Sequence, residues 1–161
     1  MRLLVTGTVE QGGSGCFCPE SAVLRSLMQH LVLYRDDLVV MDMEAGVEHL
    51  GRATARGVDR LLVAVDPGHR SQAAARRIRR LAEDIGIKSI SLVLNRARGA
   101  EDRALVERNL PGFDLLAAIP FDDRIAAADR AGSRPYDSLA DAPPEFGQLV
   151  ERLLAGSGGD P

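Results

Sequence analysis

The stretch RLLVAVDPGHRSQAAARRIRRLAEDIGIKSISLVLN, residues 60–95, decides the fold of this chain. It has two short runs rich in Leu, Val and Ile, at 60–65 and 89–95, and between them an amphipathic segment with helical spacing. This pattern predicts a strand, a helix and a second strand. Because a crossover helix joins them, the two strands are expected to run parallel.

The same alternation continues on both sides of this unit. Further strand-like runs are LLVT (3–6), LVVMD (38–42) and DLLAAIP (114–120), with amphipathic stretches between them. The alternation predicts an α/β fold, a parallel, doubly wound sheet with helices on both faces. With 161 residues, 45% of them hydrophobic, we expect one domain over 1–155 and a flexible tail, GSGGDP, over 156–161.

Residue types at the predicted helix ends locate three of the helices. The first is expected to begin at Pro19. Proline has no N–H group, and in the first turn of a helix that group would have no hydrogen-bond partner within the helix. The third is expected to begin near Ser71 as its cap and to stop at Gly86. The last should span about Glu145 to Leu154. Its predicted apolar face is Phe146, Leu149, Val150 and Leu153, and that of the third helix is Ala74, Ile78, Leu81 and Ile85.

The charge distribution argues against a nucleic-acid surface. The formal net charge is -3, whereas binding to phosphates requires dense basic patches. The basic cluster at Arg76, Arg77, Arg79 and Arg80 is interpreted as the solvated face of a helix. No apolar run reaches the roughly 18 residues of a membrane span, and the first residues do not form a signal peptide. We therefore expect a cytoplasmic protein without a membrane span.

Two cysteines lie in the glycine-rich segment GGSGCFCPE, residues 12–20. Cys16 and Cys18 are too close for a favourable disulfide, and thiolates are soft ligands for zinc, nickel or copper. A closed tetrahedral site needs four ligands, so a symmetric dimer would have to supply the second pair. The alternative interpretation, incidental or redox-active thiols, remains open for a lone C-x-C.

An acidic segment, VVMDMEAG, follows the second strand-like run. Asp42 is expected at the carboxyl end of a buried parallel strand, where such sheets bind ligands, and there it would hold magnesium through water. Glu44 and the turn at Gly46 follow it. This is the Walker B-like half of a nucleotide site. The alternative is that Asp42 simply caps the next helix.

Two later strand ends carry candidate base-binding groups. In SLVLNRARG, Asn95 would bind the edge of adenine through its amide, and in AAIPFDDR the turn at Pro120 and Phe121 would flank the base with main-chain groups. Each is a weak signal alone, because Asn and Pro are common where strands end in turns.

In this order, the motifs GGSGCFCPE, VVMDMEAGVEHLGR, VDPGHRS, VLNRARG and IPFDDRI resemble the CooC family, a MinD/ParA-like branch of deviant P-loop ATPases. The resemblance extends to about Tyr136. It implies a nucleotide-dependent homodimer, binding ATP or ADP with magnesium, that helps to insert nickel into nickel carbon monoxide dehydrogenase.

The resemblance also implies roles for particular residues. Cys16 and Cys18 correspond to the pair that binds nickel or zinc between two subunits. Asp42 corresponds to the switch II acid near magnesium, with Glu44 in the mobile segment that responds to the γ-phosphate. Asn95, Pro120 and Phe121 correspond to the adenine pocket.

One part of the family pattern is missing from this sequence. The family begins with a strand, a phosphate loop with two lysines, and a helix, whereas the single lysine here, Lys88, lies in DIGIKSI. We therefore expect no ATPase activity from this chain alone. Two explanations fit, a gene model that begins at an internal methionine, which we favour, and a natural variant.

Two other classes of function remain open. The first is a non-catalytic module that binds a metal or a partner without hydrolysing nucleotide. The second is a receiver-like signalling domain, suggested by the α/β alternation and Asp42. A receiver needs a lysine at a late strand end beside its acids, whereas Lys88 precedes its strand, which disfavours this class.

Overall fold

The computed structural model describes residues 39–43, 58–134 and 143–155. The chain forms two compact units, Met1–Val58 and Asp59–Pro161. All the described helices and strands lie in the second unit. In chain order they are β1 (Leu61–Val65), α1 (His69–Asp84), β2 (Ile90–Ala97), α2 (Ala100–Asn109), β3 (Asp114–Pro120), α3 (Asp123–Arg130) and α4 (Pro144–Ala155).

The three strands form one parallel sheet in the order β1-β2-β3. Leu61 pairs with Ile90, and Leu92 pairs with Leu115. Since both crossovers step across the sheet in the same direction and are right-handed by the usual rule, α1 and α2 lie on the same face. The predicted parallel α/β fold is confirmed.

The core of this unit lies between the sheet and these two helices. Along β1 the residues alternate, with Leu61, Val63 and Val65 buried and Leu62 40% exposed. Leu92 and Leu94 of β2, which pair with Val63 and Val65, are fully buried. Burying each of these side chains contributes about 1.5–3 kcal/mol to folding.

Helix α1 begins earlier than the sequence predicts. Its N-cap is Gly68, and no side chain caps it. The hydroxyl of Ser71 instead accepts a hydrogen bond from the amide of Asp66, at 2.9 Å, which fixes the turn between β1 and α1. The predicted end is confirmed, because Gly86 has φ +89°, the left-handed conformation that glycine adopts without strain.

The buried face of α1 also differs from the predicted one. Its buried residues are Gln72, Ala75 and Ala82, whereas Ala74 is exposed. Ile78, Leu81 and Ile85 are half-buried. The inner face of α1 is therefore the one that carries Ala75 and Ala82, because short side chains let the helix approach its neighbours closely.

The arginine cluster of α1 is only partly a solvated face. Arg76 donates to the carbonyl of Asn109 at 3.3 Å, and Arg79 donates to the carbonyl of Pro111 at 3.5 Å. Arg76, Arg77 and Arg80 are exposed, and Arg79 is half-buried. The predicted solvated face is therefore confirmed for three of the four arginines, although Arg76 and Arg79 also attach α1 to the end of α2 and the turn that follows it.

Two other predicted elements fall partly within the described residues. Residues 39–43 form no strand or helix, and Val40 is 81% exposed, so the predicted buried strand at LVVMD is not found there. A strand needs a paired neighbour, and the described strands pair only with one another. The predicted last helix is confirmed as α4, but none of its residues is fully buried.

The predicted strand at 3–6, the first helix from Pro19 and the helix after LVVMD lie outside the described residues. So does the predicted tail at 156–161. Among the helices that the structure describes, none combines the length and the hydropathy that crossing a membrane requires.

Candidate functional site

The three parallel strands end at one edge of the sheet, and charged residues lie at the end of each. Asp66 follows β1 and Asp122 follows β3, while Arg96 is the second-last residue of β2. Arg96 Nη1 lies 3.7 Å from Asp66 Oδ2. Both side chains are largely exposed, so the pair contributes little stability, but it links the ends of β1 and β2.

Arg96 has an unusual backbone conformation. Its φ is +57°, and it is the one non-glycine residue with positive φ in the described part of the chain. The pairing of β2 with β3 shifts between Leu94 and Ala97 at this point. A left-handed residue inside a strand typically accompanies such a bulge and redirects the residues after it.

Just after the bulge, the ends of β2 and β3 are bonded to each other. Ala97 pairs with Pro120, and the amide of Phe121 donates to the carbonyl of Ala97 at 2.9 Å. Asn95, two residues before Ala97, is exposed, and Pro120 is half-buried. The structure therefore brings the three residues predicted for base binding to the ends of two neighbouring strands.

Phe121 stands beside an arginine that the sequence interpretation did not single out. The Cζ atom of Arg98 lies 4.5 Å from the centroid of the Phe121 ring, in a cation–π contact. The amide of Arg98 donates to Asp102 Oδ2 at 2.8 Å, which fixes the main chain before α2. Phe121 nevertheless remains 39% exposed.

Asp122 begins α3 as its N-cap. Its carboxylate accepts hydrogen bonds from the Arg124 amide, at 2.8 Å, and from the Arg124 guanidinium, at 2.6 Å for Nη2. The hydrogen bond from the Arg124 side chain, and then that from its amide, hold the pKa of Asp122 below its ordinary value. This carboxylate is therefore used in capping a helix.

A groove of about 320 Å³ lies beside these strand ends. Its floor is β3, and its walls are the start of α2 and one side of α4, including Arg103, Glu145 and Arg152. Arg152 donates to the carbonyl of Leu116 at 2.7 Å. Within the part of the chain that the structure describes, Oε2 of Glu145 is buried without a hydrogen-bond partner.

The other predicted site residues belong to the first compact unit, Met1–Val58. Of these residues the structure describes Asp42, which is exposed. Cys16, Cys18 and Glu44 lie outside the described residues. Over residues 39–43, 58–134 and 143–155, no group of three or more His, Cys, Asp or Glu side chains is placed to bind a metal.

The sequence interpretation missed Asp66, Arg96 and Arg98. A signal for two of them was present, because the arginines of NRARG alternate with smaller residues at the end of the strand. That alternation does not reveal their partners, since Arg96 contacts a residue 30 positions earlier and Arg98 a residue 23 positions later.

No protein-family model matches the chain. Among curated proteins, it is 45% identical over 137 residues to the carbon monoxide dehydrogenase accessory protein CooC of Rhodospirillum rubrum, covering 85% of this chain and 52% of that protein. It is 41% identical over 157 residues to an uncharacterized ATP-binding protein of Methanocaldococcus jannaschii, covering 96% of this chain and 60% of that protein. A second ATP-binding protein of that organism is 31% identical over 153 residues. The chain therefore spans about half to three-fifths of the length of these relatives.

Proposed function

Because the chain is a relative of the CooC-type accessory ATPases over 85% of its length, we propose that it belongs to an accessory factor for nickel insertion into carbon monoxide dehydrogenase. The observation that carries this proposal is the 45% identity to the Rhodospirillum rubrum accessory protein. Because the match spans about half of that protein, the activity of the whole protein is part of the proposal. A cytoplasmic site of action is part of it too.

The metal ion, as cargo, is assigned to Cys16 and Cys18. Two thiolates one residue apart provide half of a tetrahedral site for nickel or zinc, and a second copy of the chain would provide the other half. The support is the chemistry of this donor pair and its glycine-rich setting. The proposal therefore includes a homodimer with the ion between its subunits.

Asn95, Pro120 and Phe121 are assigned to binding of the nucleotide base. Their support is the convergence of the β2 and β3 ends, joined by the hydrogen bond from Phe121 to Ala97. Asn95 is exposed at that edge, and its amide is suited to bind the edge of adenine. ATP or ADP would supply the phosphates that drive switching in such proteins, and Asp42 and Glu44 would act near its magnesium ion.

A titration of the purified chain with nickel or zinc tests the proposed metal site. We expect one ion bound per two chains, and sedimentation should show a metal-dependent dimer. Cys16→Ala and Cys18→Ala should each abolish both results, because one remaining thiolate per chain cannot complete a four-ligand site. Phe17→Leu keeps both thiols and is the matched control.

An unchanged metal stoichiometry in the double variant Cys16→Ala/Cys18→Ala would show that the ion binds elsewhere. The proposed accessory role would then lose its metal site.

A second candidate is a non-catalytic module that binds a metal or a partner without hydrolysing nucleotide. The observation that favours it is the absence of a lysine-bearing phosphate loop from these 161 residues, in which Lys88 is the single lysine. Affinity purification of the tagged chain from its own cells separates the candidates. Stable recovery of a separate P-loop subunit would support the module, whereas recovery of the dehydrogenase alone is expected from the accessory factor.

A further inference from the structure

Strand β1 lies at one edge of the described sheet, and among the described strands it pairs only with β2. Its sequence, LLVAV, contains no charge and no proline, and its pairing with β2 is regular over all 5 residues. A flat apolar edge strand offers its unpaired amides and carbonyls to another strand. The edge of β1 is therefore a candidate surface for association.

The opposite edge of the sheet, formed by β3, is less suited to receive a strand. The pairing of β3 with β2 is irregular between Leu92 and Val93, and a bulge of this kind hinders pairing with a further strand. Arg152 of α4 also donates to the carbonyls of Leu115 and Leu116, at 3.4 and 2.7 Å. Of the two edges, that of β1 is therefore the better template for a further strand.

The hydrogen-bonding direction of β1 identifies the groups that face its outer edge. The amide of Leu61 donates to the carbonyl of Ser89 at 2.9 Å, so Leu61 points its main-chain groups toward β2. Because successive residues of a strand point these groups to opposite edges, those of Leu62 and Ala64 face away from β2. Both residues are exposed. They provide the amides and carbonyls that a further strand would bond.

Two unlike charges flank β1 and indicate the partner, since Arg60 precedes the strand and Asp66 follows it. In an antiparallel pair of two β1 strands about a two-fold axis at Val63, Leu62 stands opposite Ala64 of the second copy, and Arg60 stands opposite its Asp66. Unlike charges directly opposite each other stabilise such a pair. An axis at Leu62 or at Ala64 would instead place a charged residue opposite an apolar one.

Both charged side chains have capacity for this contact. Nε of Arg60 donates to Ser89 Oγ at 3.2 Å, a bond that uses one of the several N–H donors of the guanidinium. Asp66 pairs with Arg96 at 3.7 Å, and its side chain is 44% exposed. A carboxylate accepts several hydrogen bonds, so Asp66 can keep this pair and accept from a second arginine.

We propose that the edge of β1 binds a second copy of this chain, in an antiparallel pair centred on Val63 that joins two sheets into one. Each copy offers the same strand and both charges, so the contact is isologous. The proposal goes beyond the proposed function, because this contact requires neither metal nor nucleotide. The interface is small, so we expect mostly monomer at about 5 µM and mostly dimer at about 500 µM. Metal-dependent dimerisation is measured at the lower concentration.

Sedimentation equilibrium in the presence of a chelator tests the proposal, in a Cys16→Ser/Cys18→Ser background that excludes metal-dependent and disulfide-linked dimers. Arg60→Asp and Asp66→Arg should each weaken dimerisation about tenfold, because both charge pairs of the dimer then become like-charged. An equimolar mixture of these two variants should dimerise about as tightly as the background chain, since every flanking charge again meets its opposite.

The double variant Arg60→Asp/Asp66→Arg keeps the net charge and should also dimerise. Arg108→Asp, at an exposed position of α2, is the control for a change of charge alone and should dimerise like the background chain. Circular dichroism checks that every variant is folded. Amide hydrogen exchange at Leu62 and Ala64 should slow as the dimer forms, because these amides then become bonded.

A background chain that stays monomeric at about 500 µM would overturn the proposal. So would a mixture and a double variant that dimerise no better than the single variants, because the flanking charges would then not lie opposite each other. Both results leave the proposed metal function standing, since the background chain lacks both thiols.

Discussion

The guanidinium of Arg79 lies 4.9 Å from the centroid of the Phe113 ring, so that one side chain of α1 covers the turn between α2 and β3. Gly112 lies within that turn with φ +81°. A Cβ atom on Gly112 would stand 2.9 Å from Nη1 of Arg79. Both the backbone conformation and the nearby guanidinium therefore disfavour any side chain at position 112.

Gly112→Ala should lower the free energy of unfolding. The left-handed conformation alone costs a residue with a Cβ about 1–2 kcal/mol, and displacement of Arg79 would weaken its contact with Phe113, worth about 0.5–1 kcal/mol. Urea denaturation followed by circular dichroism measures the loss, for which we expect about 2 kcal/mol.

Two glycines provide the matched controls. Gly86→Ala has the same left-handed strain, at φ +89°, with nothing within 4 Å, and should cost only the backbone part. Gly147→Ala, inside α4 with open space around it, should be neutral or stabilising by up to about 1 kcal/mol. Equal losses at Gly112 and Gly86 would show that the Arg79 contact contributes nothing.

The second prediction concerns Gln72, a polar side chain of α1 that is 2% exposed. Its Nε2 donates to the carbonyl of Pro67 at 2.7 Å, and its Oε1 accepts from Asn109 at 3.0 Å. Gln72→Ala should lower the free energy of unfolding by about 1–3 kcal/mol, because two hydrogen bonds of about 0.5–1.5 kcal/mol each are lost. Thermal and urea unfolding measure the change.

Gln148→Ala is the control for the second prediction, because Gln148 is exposed on α4. It should shift stability by less than about 0.5 kcal/mol. A result for Gln72→Ala within the same range would show that water satisfies the groups that Gln72 contacts.

The sequence predicted the sheet of this unit well, but it did not predict the contacts between side chains that are distant in the sequence. Strands β1 to β3 coincide with compact apolar runs, and Gly86 ended α1 as expected. Because parallel strands end at one edge, Asn95 and Phe121 were correctly expected there together. The start of α1 was missed, since Gly68 has no side chain that signals a cap. The roles of Arg79 and Arg98 were missed because each depends on a residue more than 20 positions away.

The third prediction is a pH dependence of stability at the start of α3. The pKa of Asp122 is lowered in the folded chain, chiefly by the hydrogen bond from the Arg124 side chain. Its carboxylate therefore stabilises the fold fully above the unfolded pKa of about 4, and this contribution is lost as the pH falls through the lower folded pKa. Urea unfolding midpoints at pH 7, 5 and 3 measure it.

Asp122→Asn provides the comparison for the third prediction. Asparagine can still cap the helix but has no charge, so the stability of the wild type should exceed that of the variant at pH 7 and 5 and approach it at pH 3. Arg124→Gln should reduce the same pH dependence when Asp122 is kept. A stability difference between the wild type and the Asp122→Asn variant that stays constant with pH would contradict the assignment.

The last prediction is that this chain hydrolyses ATP no faster than the buffer. Phosphoryl transfer depends on amides and a lysine that stabilise charge on the phosphates, and Lys88 is the single lysine of the sequence. Lys88 precedes β2, which begins at Ile90, so it lies at the amino end of the sheet. The candidate base site lies at the opposite end, about 25 Å away at the usual rise per residue. Release of inorganic phosphate, with magnesium present, measures the activity, and Lys88→Ala should leave it unchanged. Magnesium-dependent turnover that Asp42→Asn abolishes would show instead that this chain forms a complete phosphate site.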